Sequence, residues 1–275
     1  MGFTGRALLS AILDLDLDPS AILARPDLAE AAVEGLVRAD AYSPTVAMHG
    51  RTGVAEIRDA DSSEAVRIDQ LLHGEAFDVL ERRGGWAWGR ARRSGSIGWV
   101  ETDCLTPRAP LATHWVSAAD APLPLNALVH HGLSGVSASD LSPMGAFETD
   151  PVAVAERLLG VPHALGARSS RLTDCSGLVQ TVLFACGRAC PRHSAAQAEL
   201  GRSVEASDLR RGDLVVWLAP AGETRFTGHS ALALDDRTLI HATGFHGQVA
   251  LEPLSEALSR YRADGFSAPI FRRLG

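Results

Sequence analysis

The chain has no run of five or more consecutive basic residues, and its 26 Lys and Arg are outnumbered by 33 Asp and Glu. The resulting net charge of −7 argues against a nucleic-acid partner. The 4 cysteines, Cys104, Cys175, Cys186 and Cys190, form neither a Cys-x-x-Cys pair nor a zinc-ligand set. That pattern suits a reducing compartment better than a disulfide framework. No apolar stretch is long enough to cross a membrane. The short apolar run Ala7 to Leu13 is a poor secretory signal, because only Arg6 precedes it and Asp14, Asp16 and Asp18 follow at once. Met1-Gly2 does not open a myristoylation pattern, since Arg6 stands where Ser or Thr is needed. A soluble cytoplasmic protein is expected, with no membrane partner. Tyrosine is scarce, at Tyr42 and Tyr261 only.

What remains is a globular composition, 46% hydrophobic and 21% charged, in 275 residues. That is enough for two or three small domains. The most informative segment is Asp174-Cys175-Ser176-Gly177-Leu178-Val179, followed by Gly228-His229-Ser230 and Ile240-His241-Ala242. A thiol, an imidazole and a second polar group are the parts of a cysteine nucleophile system. The thiol needs a base, and the base needs a partner that fixes its tautomer. Cys175 stands where a helix is expected to begin, over Cys175 to Cys186 with Leu178, Val179, Val182 and Leu183 on one face. The positive helix end lowers a thiol pKa, and its free N–H groups can hold an oxyanion. A free cysteine is more often buried and inert, and Cys186 and Cys190, with no histidine motif beside them, read that way. The other eight histidines receive no catalytic role.

Four segments are expected. Residues 1–65 read as an N-terminal extension that packs on its neighbour, with helical spacing from Leu28 to Val37 and strand-like character from Thr45 to Ile57. Residues 66–108 read as short strands broken by Arg83-Gly84-Gly85 and Ser94-Gly95, the pattern of a small β-barrel. Residues 109–147 are proline-rich and too short for an ordinary barrel, so a reduced second barrel and a plain linker are both open. Residues 148–275 read as helices at Pro151 to Leu159 and Cys175 to Cys186. Strands at Leu214 to Trp217, His229 to Leu234 and Thr238 to Ala242 follow, with Phe271 in a last one. The fold class is α+β.

Asp-Cys-Ser-Gly-Leu-Val, Arg211-Gly212-Asp213-Leu214, Gly228-His229 and Ile240-His241-Ala242 resemble the NlpC/P60 family of cell-wall cysteine peptidases, as do Pro191-Arg192-His193-Ser194 and Gln197. Leu72-His73-Gly74-Glu75, Gly85-Trp86 and Gly98-Trp99-Val100 resemble a bacterial SH3 domain. Together they resemble the γ-D-glutamyl-L-diamino acid endopeptidases. The resemblance implies a papain-like domain, a helix-borne cysteine packed on an antiparallel sheet, preceded by SH3-like barrel units. It implies Cys175 as nucleophile, His229 as base and His241 as orienter. It implies cleavage of free murein stem peptides in cell-wall recycling, through a thioester and without metal or cofactor. The stem peptide would enter by a free N-terminal L-alanine, with Asp174 and Ser176 at its ammonium and Glu75 as a further candidate.

Two departures touch recognition. Where the family commonly has Pro-Tyr-x-Trp/Phe-Gly-Gly, this chain has Pro162-His163-Ala164-Leu165-Gly166-Ala167. The SH3-like unit has Ser96-Ile97 where a tyrosine is frequent. The rival readings are a binding module without catalysis, and an amidase or acyltransferase on another acyl substrate.

Overall fold

The computed structural model describes residues 22–275, so the readings of Ala7 to Leu13 and Met1-Gly2 lie outside the described residues. The chain divides between Ala109 and Pro110 into two compact units. No helix among the described residues is long and apolar enough to cross a membrane.

In the first unit, β1 (Leu28–Glu30) and β2 (Ala41–Ser43) pair in parallel. The helix expected over 28–37 does not form. A 3-10 turn at Ala31–Val33 follows β1, and Gly35 at φ 82 turns the chain into left-handed backbone that only glycine adopts cheaply. Seven antiparallel strands follow: β3 (Val46–Gly50), β4 (Val54–Arg58), β5 (Arg67–Leu72), β6 (Ala76–Arg83), β7 (Trp86–Ala91), β8 (Ile97–Glu101) and β9 (Leu105–Thr106). Their spatial order is β5-β4-β8-β7-β6-β3-β9. Period-2 alternation sends Phe77 and Val79 inward onto Met48, Ile57, Leu71 and Val100, while Asp78 between them binds Arg92. Gly98 is required by close approach, since a Cβ there would stand 2.5 Å from the Arg58 carbonyl oxygen. The sheet begins at Val46 rather than at residue 66. Its outer face, Leu80, Trp88 and Trp99, is covered by Leu23 from the preceding segment. The Arg25 guanidinium lies 4.0 Å over the Trp88 ring.

The second unit opens with β10 (His114–Val116), β11 (Leu128–Val129) and β12 (Leu141–Pro143), in the order β11-β10-β12. These three strands lie in the stretch where a second barrel or a linker was expected. Trp115 and Leu125 are buried in the same core as the long helix and main sheet of this unit. Asn126, in left-handed backbone at φ 73, donates from Nδ2 to the Thr181 carbonyl at 2.9 Å.

Helix α1 (Pro151–Glu156) starts with Pro151 at its first position, and Asp150 accepts from Val152 N as its N-cap. Helix α2 (Cys175–Ala185) is buried along its whole length. After α3 (Ser194–Gln197) come β13 (Arg202–Ser203), β14 (Leu214–Leu218), β15 (Gly228–Ala233), β16 (Thr238–Thr243), β17 (Gln248–Pro253), α4 (Leu254–Ala263) and β18 (Ile270–Arg273). The six strands form one antiparallel sheet, ordered β13-β18-β14-β15-β16-β17. Both faces are covered, which is why the central strands are apolar throughout. Leu214, Val216, Leu232 and Ile240 join the core of α2, whereas Val215, Trp217, Ala231 and Leu239 join Ala257 and Tyr261 of α4. The observed α+β architecture is the one expected, with α4 added.

Trp115→Ala should lower the stability of the second unit by about 3–5 kcal/mol, the usual cost of emptying a buried aromatic site. Urea unfolding followed by circular dichroism reads this. A loss below about 0.5 kcal/mol, as for a surface change, would mean that residues 110–147 are no part of that core.

Candidate active site

Cys175 occupies the first position of α2, and the preceding loop fixes that helix end through Asp174. Asp174 Oδ1 accepts from Gly177 N at 2.7 Å, and Oδ2 accepts from Gly166 N at 2.8 Å. Arg192 closes the same carboxylate with a two-pronged contact, Nη1 to Oδ1 at 3.0 Å and Nη2 to Oδ2 at 2.7 Å. Arg192 Nη1 also donates to Ser176 Oγ at 2.9 Å, and Ser176 Oγ donates to Asp174 Oδ1 at 3.3 Å. Gly177 is glycine because a Cβ would stand 2.2 Å from the Ala167 carbonyl oxygen. Gln197 Nε2 donates to the Ser176 and Pro191 carbonyls, both at 3.0 Å. The Pro191 to Gln197 motif thus buttresses the first turn of α2.

These contacts give Asp174 and Ser176, the residues expected at a substrate ammonium, partners within the protein. Glu75 lies in the first unit, with its carboxylate buried. Its Oε2 accepts from Leu72 N at 3.0 Å and its Oε1 lies 3.3 Å from Arg93 Nη1, so it holds the β5–β6 turn.

The Cys175 thiol makes long contacts, 3.9 Å to Ser194 Oγ and 3.9 Å to the Gly228 carbonyl oxygen. Burial pushes its pKa up to about 11, and the Asp174 carboxylate adds to the rise. The lowering expected from the helix end is therefore outweighed by desolvation. The same burial pushes Cys186 up to about 11 and Cys190 up to about 12. Among the described residues all four cysteines are free thiols.

His229 lies on β15 and His241 on β16, and His229 Nε2 is 2.9 Å from His241 Nδ1. The rings meet edge to face, with centroids 5.0 Å apart, and Tyr261 of α4 stacks on the other side of His229 at 4.6 Å. Burial holds His229 well below the usual imidazole range, and His241 adds to that. Burial also lowers His241, against the pull of Glu252. Both rings are therefore neutral at pH 7.

The third member is Glu252 on β17, whose Oε2 lies 2.8 Å from His241 Nε2. The nitrogen has no well-aligned hydrogen-bond partner, so the contact is close but off the N–H axis. Burial works to raise the Glu252 pKa, yet His241 and Arg260 hold it at about 2. Arg260 Nη2 stands 2.6 Å from Oε2. A permanent carboxylate beside His241 Nε2 places the proton on that nitrogen. Nδ1 then accepts, His229 Nε2 donates, and His229 Nδ1 keeps its lone pair. Sequence reasoning missed Glu252, Tyr261 and the structural use of Arg192. His163, half-buried where the family carries tyrosine, bears electrostatically on His229.

Residues 160–267 match the NlpC/P60 family, and residues 57–105 match the bacterial dipeptidyl-peptidase Sh3 domain. The chain is 29% identical over 167 residues to a probable endopeptidase of Corynebacterium glutamicum (strain R), covering 59% of this chain and 72% of that protein. It is 36% identical over 92 residues to the murein DD-endopeptidase MepS/murein LD-carboxypeptidase of Escherichia coli K12, covering 33% of this chain and 46% of that one. A crystal structure of an NlpC/P60 family protein from Bacillus cereus superposes with a TM-score of 0.68 at 17% identity, covering 82% of this chain and 99% of that one. The chain thus carries an NlpC/P60 domain preceded by a bacterial SH3 domain.

Two outcomes test this site. Arg192→Met should cost about 3–5 kcal/mol, because it strands a buried carboxylate, and thermal or urea unfolding reads it. Alkylation of Cys175 by iodoacetamide, taken as the difference between wild type and Cys175→Ala, should speed up roughly tenfold per pH unit from about pH 6 to 9, as for a thiol that titrates above that range. A flat rate below about pH 7 would mean that a thiolate–imidazolium pair already exists in the free protein.

Proposed function

We propose that this protein, through its NlpC/P60 domain, is a peptidoglycan hydrolase of the endopeptidase type. Its substrate is a free murein stem peptide, cut between the γ-carboxyl of D-glutamate and the diamino acid, and its place of action is the cytoplasm. The observation that carries the proposal is the His229–His241–Glu252 relay, joined in one unit with a cysteine at a capped helix N-terminus.

The resting charges set the order of events. Thiol and imidazole are both neutral, so the thiol proton moves to His229 Nδ1 as sulfur attacks the carbonyl carbon. The new imidazolium is stabilised through His241 by the buried Glu252 carboxylate. The oxyanion is held by backbone N–H groups at the start of α2, where Asp174 already takes that of Gly177. His229 returns the proton to the departing amine. Water, deprotonated by the same imidazole, then hydrolyses the thioester. The requirement for a free N-terminal L-alanine is supported only by the bacterial SH3 domain, whose description names a dipeptidyl peptidase. Asp174, Ser176 and Glu75 already have partners within the protein.

A second reading draws on the relative named as a DD-endopeptidase and LD-carboxypeptidase. The same nucleophile would then cut further along the stem peptide.

Mass spectrometry of L-Ala-γ-D-Glu-diaminopimelate-D-Ala separates the two. The proposal expects L-Ala-D-Glu from wild type, and a rate about 10³-fold lower or less from Cys175→Ala. Loss of D-alanine alone would establish the second reading. An intact peptide, beside an active NlpC/P60 control in the same buffer, would sink both and move peptide binding or another acyl substrate ahead.

A further inference from the structure

One group of side chains in the second unit has more donor atoms converging than the relay needs. His241, His246 and Glu252 each present a ligating atom within 4.8 Å of the others, the one such group of three or more His, Cys, Asp or Glu among the described residues. Glu252 Oε2 is 2.8 Å from His241 Nε2 and 3.6 Å from His246 Nε2. Two ligands on a tetrahedral zinc stand roughly 3.3 Å apart, given metal–ligand bonds near 2.0 Å, so both separations are within a small adjustment of that value. His241 Nε2 is fully buried, has no aligned hydrogen-bond partner and faces this group. His246 sits in the turn between β16 and β17, with its side chain 31% exposed, and provides the way in from solvent.

We infer that His241 Nε2, His246 Nε2 and the Glu252 carboxylate form a site for a borderline divalent cation of the zinc type, and that its occupation switches off the base at His229. The switch rests on the proposed role of His229; the site itself does not. Two imidazoles and one carboxylate suit zinc, with water completing the shell.

The consequence for the relay follows from proton placement. At rest, His241 carries its proton on Nε2 and accepts on Nδ1. A cation on Nε2 displaces that proton to solvent. The neutral ring must then carry hydrogen on Nδ1, which it takes from His229 Nε2 along their 2.9 Å contact. His229 in turn recovers a proton from solvent on Nδ1, so no net proton is gained or lost. The nitrogen that had the free lone pair is now an N–H and cannot accept the thiol proton.

Arg260 opposes the cation. Its Nη2 is 2.6 Å from Glu252 Oε2 and its Nε is 3.3 Å from Oε1, while its guanidinium lies over the Phe245 and Tyr261 rings at 4.7 and 4.3 Å. The cation must take Oε2 and leave Oε1 to Arg260. That competition makes the site reversible, a brake rather than a structural centre.

Binding is tested without substrate, in Cys175→Ala, so that the thiol of the active site contributes no ligand. Equilibrium dialysis with zinc, and the visible spectrum of cobalt(II) as its tetrahedral stand-in, should give one equivalent bound. Adding His246→Ala should weaken it by at least about tenfold. With cysteine restored, the ratio of rates with and without zinc should fall in the wild type and stay near one in His246→Ala. No stoichiometric binding to Cys175→Ala, or equal binding after His246→Ala, would overturn the site. Binding lost with His246 but without effect on that ratio would overturn the switch. A protein that binds cobalt yet cleaves no stem peptide would leave the site standing and the proposed substrate refuted.

Discussion

The buried contact between Asp174 and Arg192 is the constraint on which the site depends. One carboxylate caps α2, holds the Gly166 loop and neutralises a guanidinium. Such a pair gains little net stability over a well-packed apolar substitute, but breaking it from one side is costly. Its role is geometric. It fixes the first turn of α2 against the Ala167 loop at a separation that only glycine at 177 permits, and so sets where the thiol lies relative to β15.

The relay adds a second constraint, carried by strand register. β16 pairs with β17 so that His241 lies opposite Ala250 and Leu239 opposite Glu252. The carboxylate reaches His241 from a diagonal position, not from the directly facing one. β15 and β16 pair only around Leu232 and Ala233, which leaves the His229 end of β15 free of that ladder. Tyr261 fills the space behind His229, so a helix far along the chain sets the ring plane of the imidazole.

The legible parts of this molecule were those with local signals. Turn glycines, period-2 alternation and the cysteine motif placed β6 to β8, α2 and β14 to β16 close to where they lie. The strand character of Thr45 to Ile57 was legible, but not that β3 and β4 belong to the barrel, because His49, Glu56 and Arg58 break up their buried residues. Leu254, Ala257, Leu258 and Tyr261 do have helical spacing, so α4 could have been found; Pro253 just before it stands at the N-cap. Glu252 gave no signal. It is buried while its neighbour Leu251 is 45% exposed, the reverse of what hydrophobicity suggests. Arg192 was visible as a motif member, yet its partnership with Asp174 needs the fold. The four prolines and scattered apolar residues of 109–147 likewise do not reveal that Trp115 enters a core built by residues much further on.

The burial that pushes the Cys175 pKa up to about 11 bears on how its sulfur meets oxidants. Peroxides react with the thiolate, and the resulting sulfenic acid can go on to forms that no reductant restores. A thiol whose pKa is raised by burial offers such oxidants little thiolate near neutral pH. The burial that raises the pKa of Cys175 therefore also shields its sulfur from chemical wear.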